Sequence, residues 1–265
     1  MRLLVGVLFA AWLAGCSTTV STTSGPVSDA RTGTPGGDTP DATRRARVRL
    51  ELATAYFSRG QLKVALEEIN LALAADPTLG TAYNLRGLIH AGLGDTGPAE
   101  ESFRRALQLN ASDTDAMQNY GWFLCQQKRY ADANLQFDRA LAVPQNRETS
   151  RTLLAQGVCH AFAGQLDDAE RALTRSYELD PGNPSTAVNL AELLLRRGEA
   201  ERARFYIRRV NNAPGLVSAQ TLWLAARIEH KLGNLTGAQE LGAQLRARFG
   251  DSREAMAFDR GQFNE

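Results

Sequence analysis

The sequence predicts an all-α fold, a solenoid of six helical hairpins stacked in a row and closed by a short C-terminal helix. Three observations predict it. A turn position recurs at Gly60, Gly94, Lys128, Gly164, Gly198 and Gly233, in steps of 34, 34, 36, 34 and 35 residues. Seven residues before each turn stands a small residue (Ala53, Gly87, Gly121, Gly157, Ala191, Ala226), and five after it an alanine (Ala65, Ala99, Ala133, Ala169, Ala203, Ala238). Nine after the first five turns stands a large apolar residue: Ile69, Phe103, Phe137, Leu173 and Ile207. Small side chains at fixed places let paired helices approach closely, where a larger one would wedge them apart. The chain has 265 residues, 43% of them hydrophobic, enough for a continuous core. Length alone suggests one or two domains, but a repeat of this period makes a single quasi-one-dimensional stack.

From about Arg44 to Phe249 the chain resembles tetratricopeptide repeat proteins, whose period is 34. The resemblance implies a right-handed superhelical solenoid of about six tetratricopeptide repeats, with a concave wall built from first helices. Arg44, Arg45, Arg47 and Arg49 open the first hairpin. They read either as a solvated end face or as a contact for anionic lipid head groups or an acidic partner. Pro77 and Pro181 close the first and fourth repeats, since a proline stops a helix. Val143-Pro144-Gln145-Asn146-Arg147 carries the two extra residues of the 36-residue step. In the sixth repeat Gly242 stands where the large residue belongs; terminal repeats are often atypical because one face has no neighbour. Ser252 is placed to N-cap a final helix over Arg253 to Phe258, and Gly261 onward is expected to fray.

The N-terminus reads as an export signal. Met1-Arg2 is a basic head, Leu3 to Leu13 an apolar run of signal-peptide length, and Leu13-Ala14-Gly15-Cys16 resembles a bacterial lipobox. In signals of that kind cleavage precedes the cysteine, which is then acylated; an ordinary secretory signal with an incidental cysteine is the alternative. Ser17 rather than Asp follows, which by resemblance to enterobacterial-type sorting directs the protein to the outer membrane, on its periplasmic face. Several acyl chains anchor firmly where one is marginal. Ser17 to Pro40, rich in Ser, Thr, Gly and Pro, cannot bury enough surface to order itself and reads as a tether of roughly 25 residues spanning on the order of 25–30 Å. The expected organisation is a signal peptide at 1–15, a lipidated tether at 16–42, six repeats at 43–249 and a cap and tail at 250–265.

Net charge is +1, which points to neither nucleic acid nor a strongly acidic partner. No apolar run has the length of a mature transmembrane helix. No G-x-S-x-G, H-E-x-x-H or P-loop is present. His90 and His160, each four before a turn, read as packed histidines, and Glu67-Glu68 and Asp167-Asp168 as solvated faces. No catalytic residue, metal site or cofactor is expected. Of three cysteines, Cys16 is assigned to the lipid. Cys125 and Cys159 lie on first helices of neighbouring repeats, within disulfide reach, in a compartment that oxidises thiols. A disulfide is the favoured reading; two buried free thiols are the other.

On first helices, the positions expected to line the concave wall include Leu50, Phe57, Leu88, Trp122, Gln126, Leu154, Phe162 and Trp223, with Asn84, Gln118, Glu192 and Arg227 among them. The set is apolar for a surface, and exposed apolar patches usually mean a partner. The expected ligand is an amphipathic or extended peptide segment; packing against the next repeat is the competing account.

Three stretches narrow the resemblance: Asn119-Tyr120-Gly121-Trp122-Phe123-Leu124-Cys125, Gly157-Val158-Cys159, and Leu222-Trp223-Leu224 before Arg227-Ile228-Glu229. With the lipobox and the six repeats, they resemble the type IV pilus biogenesis and stability lipoprotein family (PilF/PilW). That resemblance implies a pilotin-like scaffold that helps the pilus secretin reach the outer membrane and multimerise; a monomer is expected. A scaffold of the same build for cell-wall or outer-membrane protein assembly is the alternative.

Overall fold

The computed structural model describes residues 39–263, all helix and connection, with no strand among the described residues. Cys16, the leader and the tether before residue 39 lie outside them. Helices α1 (Thr39–Ser58) and α2 (Leu62–Ala75) form the first hairpin. Then come α3 (Gly80–Leu93) with α4 (Thr96–Leu109), α5 (Thr114–Gln126) with α6 (Tyr130–Ala142), and α7 (Thr149–Phe162) with α8 (Leu166–Leu179). The last two pairs are α9 (Pro184–Arg196) with α10 (Ala200–Asn211) and α11 (Ala219–Lys231) with α12 (Leu235–Phe249), followed by α13 (Arg253–Asp259). Helix α1 begins four residues before the expected start of the repeats at 43.

The small residues of the first helices face the large ones of the second. A Cβ added at Gly87 would stand 2.7 Å from the Phe103 ring, one at Gly121 2.8 Å from Phe137, and one at Gly157 2.7 Å from Leu173. Where the first helix carries alanine, at Ala53 and Ala191, the residue nine after the turn is the slimmer Ile69 or Ile207, and all four are buried. Volume is thus traded within each hairpin to keep a close-packed interior. Repeat six breaks the pattern, and α13 repairs it. A Cβ at Gly242 would lie 2.0 Å from the Phe258 ring, so the missing large side chain comes from the next helix. Ser252 caps α13, its hydroxyl accepting from Ala255 N at 3.1 Å.

The loops between repeats use one device with or without proline. Asp76, Asn110 and Asp180 each accept, through Oδ1, the backbone N–H two residues on, at 2.9, 3.1 and 3.2 Å. These Asx-turns reverse the chain at Asn110, where no proline follows. In the longer third connection Asn146 does more, donating to Ala140 O at 2.9 Å and accepting from Glu148 N at 2.8 Å.

Within hairpins, Lys128 adopts φ 61°, the left-handed conformation that Gly60, Gly94, Gly164, Gly198 and Gly233 adopt at the equivalent turns. That conformation costs a residue with a Cβ about 1–2 kcal/mol, against about 0.5–1 kcal/mol for the extra unfolded-state freedom of glycine. Lys128→Gly is therefore expected to stabilise the protein by about 0.5–1 kcal/mol, read as a higher denaturant midpoint at unchanged slope. A lower midpoint would show that the lysine side chain offsets its own strain.

Candidate protein-binding groove

Curvature follows from which helices touch. First helices of successive repeats pack on one another, α1 on α3, α3 on α5, α5 on α7, α7 on α9 and α9 on α11, whereas no second helix brings its backbone as close to the second helix of the next repeat. There side chains bridge the gap, as from Arg202 to Glu170 at 2.7 Å and between the Tyr177 and Tyr206 rings at 5.0 Å. The line of α1, α3, α5, α7, α9 and α11 is therefore the tighter, inner wall.

The expected groove residues divide into three kinds on this wall. Leu50 and Phe57 pack half-buried on the core around Ile69 and Ile89. Leu88 and Trp122 do so on the core around Phe103 and Phe137, and Leu154 on the core around Leu173 and Leu190. Each joins one repeat to the next while showing an edge to the wall. Gln126 is exposed, and Phe162, 59% exposed, is the most open aromatic on the wall. Its ring lies 6.3 Å from that of Trp122, tilted by 41°, so the two form an aromatic shelf across repeats three and four. Trp223, expected in the open groove, is covered by the chain's own C-terminus, 6.3 Å from the Phe258 ring and 5.3 Å from Phe263. Gln118 is not a wall residue either; it is buried and accepts from Thr152 Oγ1 at 3.2 Å.

The aromatic shelf is held from beneath by a covalent link. Cys125 and Cys159 are joined in a disulfide, with Cα atoms 5.8 Å apart. Cys125 is three residues after Trp122 and Cys159 three before Phe162, so each aromatic sits about one helical turn from the bridge that ties α5 to α7.

Charge is kept mostly behind the wall. Glu100 on α4 accepts from Tyr120 Oη at 2.9 Å and pairs with Arg104 at 2.7 Å and Arg129 at 2.9 Å. Burial alone would push its carboxyl up, but the hydrogen bonds from Arg129 and Tyr120 and the charges of Arg129 and Arg104 hold it below the usual range. Glu229, 4% exposed, repeats the design between α10 and α11. Burial again opposes ionisation, and hydrogen bonds from Asn234 and Arg208 with the charges of Arg208 and Arg204 outweigh it. On the wall itself, Asn119 donates to Asn84 Oδ1 at 3.2 Å, and Arg227 Nη1 reaches both carboxylate oxygens of Glu192 at 3.2 Å. His90 and His160 are half-buried and bond to the residue after their turns: His90 Nδ1 lies 3.1 Å from Asp95 Oδ2, and His160 Nδ1 2.7 Å from Gln165 Oε1. Among the described residues no group of three His, Cys, Asp or Glu could hold a metal ion, and no helix is long and apolar enough to cross a membrane.

Repeat geometry and inner wall define a tetratricopeptide repeat protein, a scaffold class that mediates protein–protein contacts. Tetratricopeptide repeat models match residues 83–149 and 163–215. The type IV pilus assembly protein PilF of Pseudomonas aeruginosa is 28% identical over 221 residues, covering 82% of this chain and 85% of PilF. The crystal structure of PilW, a widely conserved type IV pilus biogenesis factor, superposes with a TM-score of 0.75 at 32% identity, over 80% of this chain and 97% of PilW. A structure of Pseudomonas aeruginosa PilF gives a TM-score of 0.72 at 25% identity, over 83% and 99%. The chain belongs to the PilF/PilW family of type IV pilus biogenesis proteins.

Proposed function

We propose that this chain is a lipid-anchored, non-enzymatic pilotin-like scaffold that holds a segment of the type IV pilus secretin and promotes its arrival and multimerisation at the outer membrane. The observation that carries the reading is the likeness to PilW over 97% of that protein. The lipobox-like stretch ending at Cys16 and the aromatic shelf of Trp122 and Phe162 support it. Acyl chains on Cys16 supply the anchor, and the inner wall the grip. Exposed aromatics suit the grip because large rigid rings carry much of the energy of protein contacts. Binding on a tethered wall turns encounters between secretin subunits into local events and raises their effective concentration. A client in cell-wall or outer-membrane protein assembly is the alternative occupant.

The test is made in a strain lacking the gene. Loss of the heat-resistant secretin multimer, or retention of the subunit in the inner membrane, is expected. The wild-type gene should restore it and Cys16→Ala should not. A secretin ring that forms and sorts normally without the gene would overturn the reading.

A further inference from the structure

The inner wall of repeat six is already occupied, and the occupant is the chain itself. After α13 the backbone turns at Gly261, with φ 68°, and Phe263 N donates to Gly261 O at 2.9 Å. This sends Phe263 back onto α11. Its ring lies parallel to His230, 4.1 Å between centroids with 3° between planes, and 5.3 Å from Trp223. Arg227 Nε reaches its carbonyl oxygen at 3.5 Å. Trp223, Arg227 and His230 follow i, i+4, i+7 spacing and so share one face of α11. Arg227 stands six residues before its turn, as Trp122 does in repeat three. The tail therefore docks in the register that elsewhere presents the open wall.

The two attachments differ in character. Phe258 fills the slot above Gly242 and belongs to the core. Phe263 lies at the edge of that core, its ring 5.5 Å from that of Phe258, with its side chain only partly buried and its carbonyl held by one hydrogen bond at the outer limit of length. We infer that Phe263 stands in for a partner's aromatic side chain. The Trp223–Arg227–His230 face is a docking site for an extended segment that offers an aromatic ring and a backbone carbonyl, closed by the tail until such a segment displaces it. The inference rests on the groove reading proposed above and adds the class of residue the groove takes. An occluding tail lowers apparent affinity by the fraction of time the site is open, so a tail in place nine-tenths of the time costs a competitor about ten-fold.

The experiment uses the full chain, wild-type and Phe263→Ala, and a fluorescent peptide of residues 259–265 supplied in trans. Phe263→Ala is expected to bind this peptide about ten-fold more tightly than wild-type, to ignore a peptide whose phenylalanine is replaced by alanine, and to melt at the same temperature. Adding Trp223→Phe or Arg227→Lys to Phe263→Ala should weaken binding. Equal binding by wild-type and Phe263→Ala, or none by either at millimolar peptide, overturns the inference. So does a clearly lowered melting temperature, which would make Phe263 part of the cap. Secretin capture by the wild-type chain is scored separately. Capture with no peptide binding sinks the docking site and leaves the scaffold, whereas peptide binding with no capture does the reverse.

Discussion

Phe137→Ala is expected to destabilise the protein by about 3–5 kcal/mol, the usual cost of removing a buried ring whose surroundings cannot collapse. Phe137 is fully buried in the core that joins repeats two, three and four. Its ring faces Gly121, which has no side chain to move into the space. Gly121→Ala alone should also destabilise, because its Cβ would meet the Phe137 ring at 2.8 Å. The double variant should cost less than the sum, since the added methyl partly fills the hole left by the ring. Residues in contact couple in this way. Denaturant unfolding of the four proteins measures the cycle. Additive costs would show that the pair is not a unit of packing, and a cost for Phe137→Ala under about 1 kcal/mol would mean that the core closes over the gap.

The second large effect is expected at the disulfide. Cys125 and Cys159 are 34 residues apart in sequence. Opening a loop of that size is worth about 3–4 kcal/mol in the chain-entropy model. Replacing both cysteines by serine should lower stability by about that amount, and adding a thiol reductant should lower wild-type stability but leave the double variant unchanged. A double variant as stable as the oxidised protein would mean that residual structure already restricts the unfolded chain as much as the bridge does.

What was legible in the sequence was whatever acts within one repeat. The turn glycines, the small residues before them and the large ones after report contacts closed inside a single hairpin, so their spacing carries the fold directly. What acts between elements was harder to read. Phe258 completes repeat six from outside it, and a gap at Gly242 does not announce which later residue fills it. Trp223 has the composition of a wall residue, but the tail that covers it returns from 40 residues downstream. Phe263 carries no period, and a lone aromatic near a polar terminus resembles a frayed end. The cysteines occupy unequal places in their repeats, three and five before their turns. In the structure residues 34 apart stand opposite one another on α5 and α7, as Gln118 and Thr152 also do. The start of α1 was missed because Thr39 and Pro40 look like the Thr- and Pro-rich stretch before them, although proline is acceptable in a first helical turn.

The close packing of first helices along one line, with second helices meeting across repeats through side chains such as Arg202 and Glu170, makes the array behave as a coil spring with a stiffer inner thread. A load that opens the coil spreads the outer helices and parts side-chain contacts there, such as the Arg202–Glu170 pair and the Tyr177–Tyr206 ring contact, before it disturbs the closer backbone packing of the inner line, so the outer side yields first. The Cys125–Cys159 bridge lies on the thread near its middle and welds two adjacent coils. Tension applied through a held partner would therefore flex the stack on either side of a fixed centre, and the Trp122–Phe162 shelf, riding on the weld, would keep its geometry while the ends give.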